Sequence, residues 1–289
     1  MDDVCVPLQD LRHLRWDERA VTSGTSGTFP KARRSGHGVT YYYKLSCYDS
    51  YRGIYGHECV NEVLAARLLA ELKIPRVDYR LVHARVAIDG EERETWLNVS
   101  TSFRAPGERK MTFELFYDLK RHSGESPFAF CQRMGWGRHI AQMLAFDFLI
   151  ANRDRHGANI EVILSPDGAM RLAPLFDNGL SFVFSCYGDA KRAAAFDALE
   201  DVNANNYLGT RSLLENLQFV TDLAEGSLAL PVLDAAALDR VFDQLDPAIP
   251  SAAHRAKMRE MIERRWHLLV ERGIVVPQGA GAGAGEDVR

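Results

Sequence analysis

The order of strand-like and helix-like segments limits the possible folds of this 289-residue chain more than any other feature of the sequence. Up to Ser102, segments rich in β-branched and aromatic residues predict strands, with one helix among them. After Ser102, apolar residues at helical spacing dominate. A strand-rich part followed by a helix-rich part predicts an α+β fold with two lobes and a cleft between them.

Individual segments fix the boundaries of these lobes. We predict strands over 39–46, 79–88, 94–99, 160–164 and 171–175, and helices over 58–72, 113–122, 127–133, 136–152, 210–224, 234–245 and 252–273. Residues 1–22 show no clear pattern. The strand-rich lobe would span 1–102 and the helical lobe 103–275, with a hinge over 100–110 and a disordered Gly/Ala-rich tail over 276–289.

Composition excludes several classes of protein. The chain is 46% hydrophobic and 26% charged, as in soluble globular proteins, and its net charge of -4 does not favour nucleic-acid binding. Five scattered cysteines without a CxxC pair indicate a reducing compartment. No apolar run approaches the roughly 20 residues of a membrane span. We therefore expect a cytoplasmic protein, or a secreted effector that acts in a host cytosol.

A polar cluster begins where the strongly apolar segment 136–150 ends. It runs from Asn152 to Asn159 in the sequence NRDRHGAN, and Asp177 follows Asn159 by 18 residues, beyond a predicted hairpin. Transfer of a phosphoryl group from magnesium-ATP requires one carboxylate to accept the proton of the nucleophile, and oxygen ligands that hold the metal on the phosphates. We predict Asp154 as the base and Asn159 and Asp177 as the metal ligands. The alternative is that these side chains only cap turns.

Phosphate binding also requires a cation, and Lys44 is the candidate in the first lobe. It lies inside an aromatic strand, where a lysine is unusual unless it faces a cleft. The following helix contains Glu58 and Glu62 as carboxylate partners. The helical spacing places Glu62 toward the packed face and Glu58 toward solvent, so we predict that Glu62 pairs with Lys44. An unrelated surface lysine and helix glutamate are the alternative.

A Gly/Ser/Thr-rich loop precedes these strands. Its backbone N–H groups could cover the nucleotide phosphates, although it matches neither the Walker A nor the GxGxxG pattern. The loop consists of Ser23, Gly24, Thr25, Ser26, Gly27 and Thr28. We also assign His156 to nucleotide binding, although a histidine at such a position is more often structural.

Together these motifs resemble those of the HipA-like kinases, bacterial serine/threonine kinases with a diverged protein-kinase-like fold. The resemblance covers about residues 20–265 and rests on Tyr43-Lys44-Leu45, Asn61-Glu62, the segment 152–159 and the sequence LAPLFD that ends at Asp177. It implies ATP and Mg²⁺ as cofactors, Asp154 as the base, Asn159 and Asp177 as metal ligands, and Lys44, oriented by Glu62, on the phosphates.

The resemblance also implies a protein substrate with a serine or threonine acceptor, and an antitoxin-like partner. We expect the chain to be too short for the additional N-terminal subdomain of the full-length toxins, and this difference argues against that partner and the familiar substrate. HipA-like kinases can phosphorylate a serine in the loop before the strands and lose activity. Ser23, Thr25, Ser26 and Thr28 are candidates for such autophosphorylation.

Two other functions fit the same pattern. Antibiotic kinases share a comparable Asp/Asn/Asp arrangement, so the chain could be a small-molecule phosphotransferase with an acidic acceptor pocket. It could also be a nucleotide-binding pseudokinase that serves as a partner module. The joint presence of Lys44, Asp154, Asn159 and Asp177 argues against a pseudokinase, because a degraded site usually lacks one such group.

Overall fold

The computed structural model describes residues 3–17, 29–36, 38–49 and 51–279. A five-stranded sheet in the order β1-β6-β7-β3-β2 forms the N-terminal part, with β1 parallel to β6 and the other neighbours antiparallel. These strands are β1 (Val4–Asp10), β2 (Lys31–Gly36), β3 (Val39–Leu45), β6 (Tyr79–Ile88) and β7 (Glu91–Thr101), and the short pair β4 (Tyr48–Asp49) and β5 (Gly53–Ile54) follows β3.

Helix α1 (Glu58–Glu71) connects the sheet to the rest of the molecule. It packs on β3, β6 and β7 and also contacts a helix of the C-terminal part. Its side chains from Glu58 to Leu69 are all buried, including the polar ones, so the helix has no solvent-exposed face along most of its length. The predicted exposure of Glu58 is therefore wrong. Sequence periodicity reveals one packed face, but here a second lobe covers the opposite face.

The C-terminal part is mostly helical and is organised around one buried helix, α4. Its helices are α2 (Phe113–Lys120), α3 (Pro127–Arg133), α4 (Gly137–Ile150), α5 (Ala190–Ala195), α6 (Leu213–Asn216), α7 (Val220–Leu223), α8 (Ala235–Phe242) and α9 (Ala252–Glu271). Its strands are β8 (Arg109–Thr112), β9 (Asp154–Arg155), β10 (Glu161–Leu164), β11 (Met170–Leu172), β12 (Asn205–Asn206), β13 (Leu228–Pro231) and β14 (Val275–Gln278). Helix α4 contacts α3, α6, α7 and α9. Within the described ranges, none of the helices combines the length and apolar composition that crossing a bilayer requires.

Most predicted elements are present, and the structure differs from the sequence-based expectation at the following segments. Residues 210–224 do not form one helix. The side chain of Ser212 caps α6 by accepting from the N–H of Glu215, and the tighter 3-10 turn Leu217–Phe219 separates α6 from α7. Residues 4–10, for which no element was predicted, form a sheet strand. Residues 276–278, assigned to the tail, belong to β14, which pairs with β13, while 280–289 lie outside the described residues.

Candidate active site

Lys44 is the positive centre of a buried charge cluster at the boundary between the two lobes. Its Nζ lies 3.0 Å from Oε1 of Glu62 and also donates to Oδ1 of Asp177. The predicted ion pair between Lys44 and Glu62 is therefore present. Burial alone would lower the pKa of Lys44, but the charges of Asp177 and Glu62 outweigh burial and hold this pKa well above its ordinary value. Burial would raise the pKa of Asp177, but the ammonium group holds it below its usual range.

Two polar side chains of α1 attach the helix to the segment after Asp177. Oε2 of Glu62 accepts from the N–H of Asn178 at 2.8 Å, and Nδ2 of Asn61 donates to the carbonyl oxygens of Gly179 and Ser181 at 2.9 and 3.0 Å. Asp177 itself has a left-handed backbone conformation with φ of 57°, which is uncommon outside glycine. These hydrogen bonds hold that conformation in place.

Glu58, the other candidate partner of Lys44, has a structural contact instead. Its side chain is turned toward the strand pair after β3, where Oε2 accepts from the N–H of Cys47 at 3.1 Å. Burial raises the pKa of this carboxyl group. The choice of Glu62 as the partner of Lys44 agrees with the geometry, although the reason given for it, an exposed Glu58, does not.

The segment that contains Asp154 leaves helix α4 through a sharp turn. Ala151 ends the helix in a left-handed conformation, and the Asn152 side chain both donates to Asp147 at 2.9 Å and accepts from the N–H of Asp154 at 3.2 Å. The carboxylate of Asp154 is 27% exposed, and its Oδ1 accepts from Nδ2 of Asn205 at 3.2 Å. Burial raises the pKa of Asp154, and this direction of shift brings the pKa closer to the value that suits a general base at neutral pH.

The metal-ligand candidate Asn159 lies directly beside this segment. Its Nδ2 donates to the carbonyl oxygen of Asp154 at 2.9 Å, which leaves the amide oxygen as the atom available to a cation. His156 accepts from the N–H of Ala158 at 3.2 Å, and its Nε2 lies 3.7 Å from Oδ2 of Asp154. The imidazole therefore shapes the turn and also lies next to the carboxylate.

Gly157 has a steric role in this turn. A β-carbon at this position would lie 2.8 Å from the β-carbon of Glu114 and 3.1 Å from the ring of Tyr207. Only a residue without a side chain therefore lets the turn pack against α2 and the segment after β12.

Arg155 connects the segment around Asp154 to the segment around Asp177. Its guanidinium group is 1% exposed and donates to Asp147 at 2.8 Å, to the carbonyl oxygen of Phe176 at 2.8 Å and to Oδ1 of Asn178 at 2.6 Å. Asp147 is fully buried on α4, so the two charges neutralise each other inside the protein. This network fixes both segments against the same helix.

Five of the predicted side chains line one cleft of about 440 Å³, whereas Glu62 meets it only through its contact with Lys44. It is lined by Phe29, Lys31, Lys44, Lys110, Asp154, His156, Ala158, Asn159, Glu161, Phe176, Asp177, Gly179 and Leu180. A larger cavity of about 660 Å³ lies at the N-terminal sheet, with Tyr41, Tyr43 and Val99 in its lining, and contains none of the proposed catalytic or metal-binding side chains. Because the chemistry requires those side chains, we identify the smaller cleft as the candidate active site.

The donor atoms in this cleft fit a magnesium ion. Asp177 and Asn159 supply a carboxylate and an amide oxygen, and Mg²⁺ in nucleotide sites commonly uses one or two protein oxygens together with phosphates and water. Among the described residues, no three or more His, Cys, Asp or Glu side chains are grouped so that they could hold a metal.

Some predicted residues cannot be placed, and several relevant ones had not been predicted. The loop from Ser23 to Thr28 lies outside the described residues. Lys31 was not among the predicted site residues, yet it pairs with Lys44 across β2 and β3 and lines the cleft. The basic run that it begins, Lys31-Ala32-Arg33-Arg34, was the sequence signal that could have identified it. The sequence around Asn205 gives no indication of its role. For the pair of Asp147 and Arg155, the one indication is that Asp147 is a charged residue within an apolar helix.

The overall architecture is similar to that of the Helicobacter pylori proinflammatory kinase CtkA. The two structures align with a TM-score of 0.56 and 14% sequence identity, over 93% of this chain and 97% of that chain. The chain therefore has a two-lobed, kinase-like fold, as predicted, although this similarity does not single out the HipA-like family. Comparisons with models of known protein families and with curated proteins found no match.

Proposed function

We propose that this protein is an ATP- and Mg²⁺-dependent serine/threonine protein kinase of the HipA-like type. One observation supports this proposal above the others. Lys44 of the strand-rich lobe contacts both Glu62 and Asp177, at a cleft that also contains Asp154 and Asn159. A phosphate-binding cation, a base and metal-binding oxygens are the groups on which phosphoryl transfer depends.

In this proposal the phosphates of ATP bind at the side of the cleft that β2 and β3 form. Lys44 and Lys31 lie opposite each other on adjacent strands and line the cleft, so their ammonium groups can neutralise phosphate oxygens. Glu62 orients Lys44 through the 3.0 Å contact and is held by Asn178. Preorganised charges of this kind stabilise a transition state without reorganisation during the reaction.

Asp154 would act on the acceptor hydroxyl group. Its carboxylate accepts the proton from a serine or threonine, whose oxygen forms a bond to the γ-phosphorus while the bond to the bridging oxygen of ADP breaks. Asn205 fixes the direction of the carboxylate through its 3.2 Å hydrogen bond. Asn159 and Asp177 would hold Mg²⁺, which would supply positive charge against the charge of the phosphates.

The proposal is tested by incubating the purified protein with γ-labelled ATP and MgCl₂, with and without a host lysate, and with an aminoglycoside in a parallel sample. Label on serine or threonine of a protein is the expected result. Label on the aminoglycoside would favour the small-molecule phosphotransferase. Binding of ATP without transfer or hydrolysis in every sample would favour the pseudokinase.

A further inference from the structure

Glu161 is a buried carboxylate in the cleft that the proposed mechanism does not use. It is the first residue of β10 and is 9% exposed. Its Oε1 accepts a hydrogen bond from the ammonium group of Lys110 at 2.6 Å, whereas its buried Oε2 has no hydrogen-bond partner among the described residues. An unpaired buried carboxylate oxygen is costly, so a donor supplied by a ligand would stabilise it.

The position of this pair within the cleft indicates which part of a ligand it meets. Lys110 is on β8, directly after the connection between the lobes, and β8 pairs with β10 so that Lys110 and Glu161 lie on the same face. Glu161 follows Asn159 by two residues and lines the same cleft as Lys44 and Asp177, whose charges the proposed function assigns to the phosphates. A nucleotide with its phosphates at Lys44 and Asp177 would therefore direct its base toward Lys110 and Glu161.

The two side chains present a hydrogen-bond donor next to an acceptor. An ionised carboxylate only accepts and an ammonium group only donates. Position 6 of a purine carries an amino donor in adenine and a carbonyl acceptor in guanine, next to the N7 acceptor in both. With the ammonium group of Lys110 at N7, which both purines carry, Glu161 complements the amino group of adenine and repels the carbonyl group of guanine. Phe176 lines the same cleft and stacks on Phe103 at 5.8 Å, which provides an apolar surface for a flat base.

We propose that Glu161, supported by Lys110, determines the nucleotide specificity of this site by accepting a hydrogen bond from the 6-amino group of adenine. This inference rests on the proposed function, because it takes ATP as the ligand of the cleft. It adds that recognition of the base depends on a side chain, and that one residue separates ATP from GTP.

The test measures equilibrium binding of four nucleotides to the full-length chain in the presence of MgCl₂. The probes are ATP, purine riboside triphosphate, which has hydrogen at position 6, GTP and 2′-deoxy-ATP. The wild type is expected to bind ATP roughly 10- to 100-fold more tightly than purine riboside triphosphate, the usual effect of a hydrogen bond to a charged group. Glu161→Ala is expected to remove this difference by weakening ATP alone.

Two further variants make the result independent of folding defects. Glu161→Gln keeps the shape and can donate as well as accept, so the preference for ATP over GTP is expected to fall at least tenfold. Glu108→Gln is the matched control: the side chain of Glu108 is 9% exposed and that of Glu161 is 10% exposed, but Glu108 pairs with Arg171 outside the cleft. This control is expected to leave all four affinities within about twofold of those of the wild type.

Three outcomes would overturn the inference. Glu161→Ala could weaken ATP and purine riboside triphosphate equally, or Glu161→Gln could keep the full preference for ATP over GTP. Glu161→Ala could instead change the ratio of ATP to 2′-deoxy-ATP, which would place the carboxylate on the ribose. Binding of ATP without phosphate transfer would contradict the proposed kinase activity and leave the recognition of adenine by Glu161 intact. A wild type that binds no nucleotide would overturn both proposals.

Discussion

Replacement of Arg155 by methionine should destabilise the protein more than loss of any surface charge. The substitution removes the guanidinium group that neutralises fully buried Asp147, and it leaves the carbonyl oxygen of Phe176 without its 2.8 Å donor. Removing one partner of a buried ion pair typically costs about 3–5 kcal/mol, because the remaining charge is buried and unpaired. We expect a decrease of about that size in the free energy of unfolding, measured by urea denaturation and circular dichroism.

A double substitution tests whether the uncompensated charge causes this effect. Asp147→Asn removes the charge but keeps the oxygen that accepts from Asn152 at 2.9 Å. The double variant Arg155→Met, Asp147→Asn should therefore lose less stability than the sum of the single variants, with a coupling energy of about 1–3 kcal/mol. The control is Arg259→Met, since Arg259 forms partly exposed ion pairs with Asp239 and Glu263 and should cost about 1 kcal/mol or less.

Two results would refute this reasoning. One is an Arg155→Met variant as stable as Arg259→Met. The other is strict additivity of the Arg155 and Asp147 substitutions, which would mean that the two charges do not depend on each other.

Three more predictions concern the turn and the loop around the cleft. Burial raises the pKa of Asp154, and the hydrogen bond from Asn205 lowers it. Because the base must be ionised, kcat/KM should fall as the pH drops through this pKa, and Asn205→Ala should move that fall to higher pH. A pH profile that is the same in Asn205→Ala and in the wild type would contradict the role of this hydrogen bond. Gly157→Ala should reduce phosphate transfer at least tenfold, because the new methyl group would lie 2.8 Å from the β-carbon of Glu114. Gly36→Ala should leave transfer unchanged, since none of the described residues would lie within 4 Å of its new methyl group. Equal activities of the two variants would refute the steric argument. After incubation with Mg²⁺ and ATP, mass spectrometry should find phosphate on the loop, and its absence from all four hydroxyl residues would exclude the proposed autophosphorylation of Ser23, Thr25, Ser26 or Thr28.

Local patterns were sufficient to predict the elements next to the cleft. Aromatic and β-branched residues predict β3, helical spacing predicts α1 and α4, and turn residues predict the hairpin that precedes Asp177. The spacing of Asp154 and Asn159 then identifies two side chains of the site, since both belong to one short segment. These features depend on neighbours that are close in the sequence.

Features that depend on distant contacts could not be predicted. Glu58 is buried because a second lobe covers α1, and no periodicity within the helix reports that lobe. Asn205 reaches Asp154 from 51 residues away, through the parallel pairing of β12 with β9. In the sequence, Glu161 looks like any other residue of a strand. Only the pairing of β8 with β10 places its carboxylate beside Lys110.

The most direct test of the central claim compares Asp154→Asn with Asp167→Asn. Asp167 is an exposed turn residue whose Oδ1 accepts from the N–H of Ala169 at 3.0 Å, a bond that asparagine can also make. Transfer of labelled phosphate and affinity for ATP are measured on the same samples. We predict that Asp154→Asn reduces transfer about 10²- to 10⁴-fold with ATP affinity within about threefold of the wild type, while Asp167→Asn changes neither. Transfer by Asp154→Asn at the wild-type rate would contradict the assignment of this cleft as the active site.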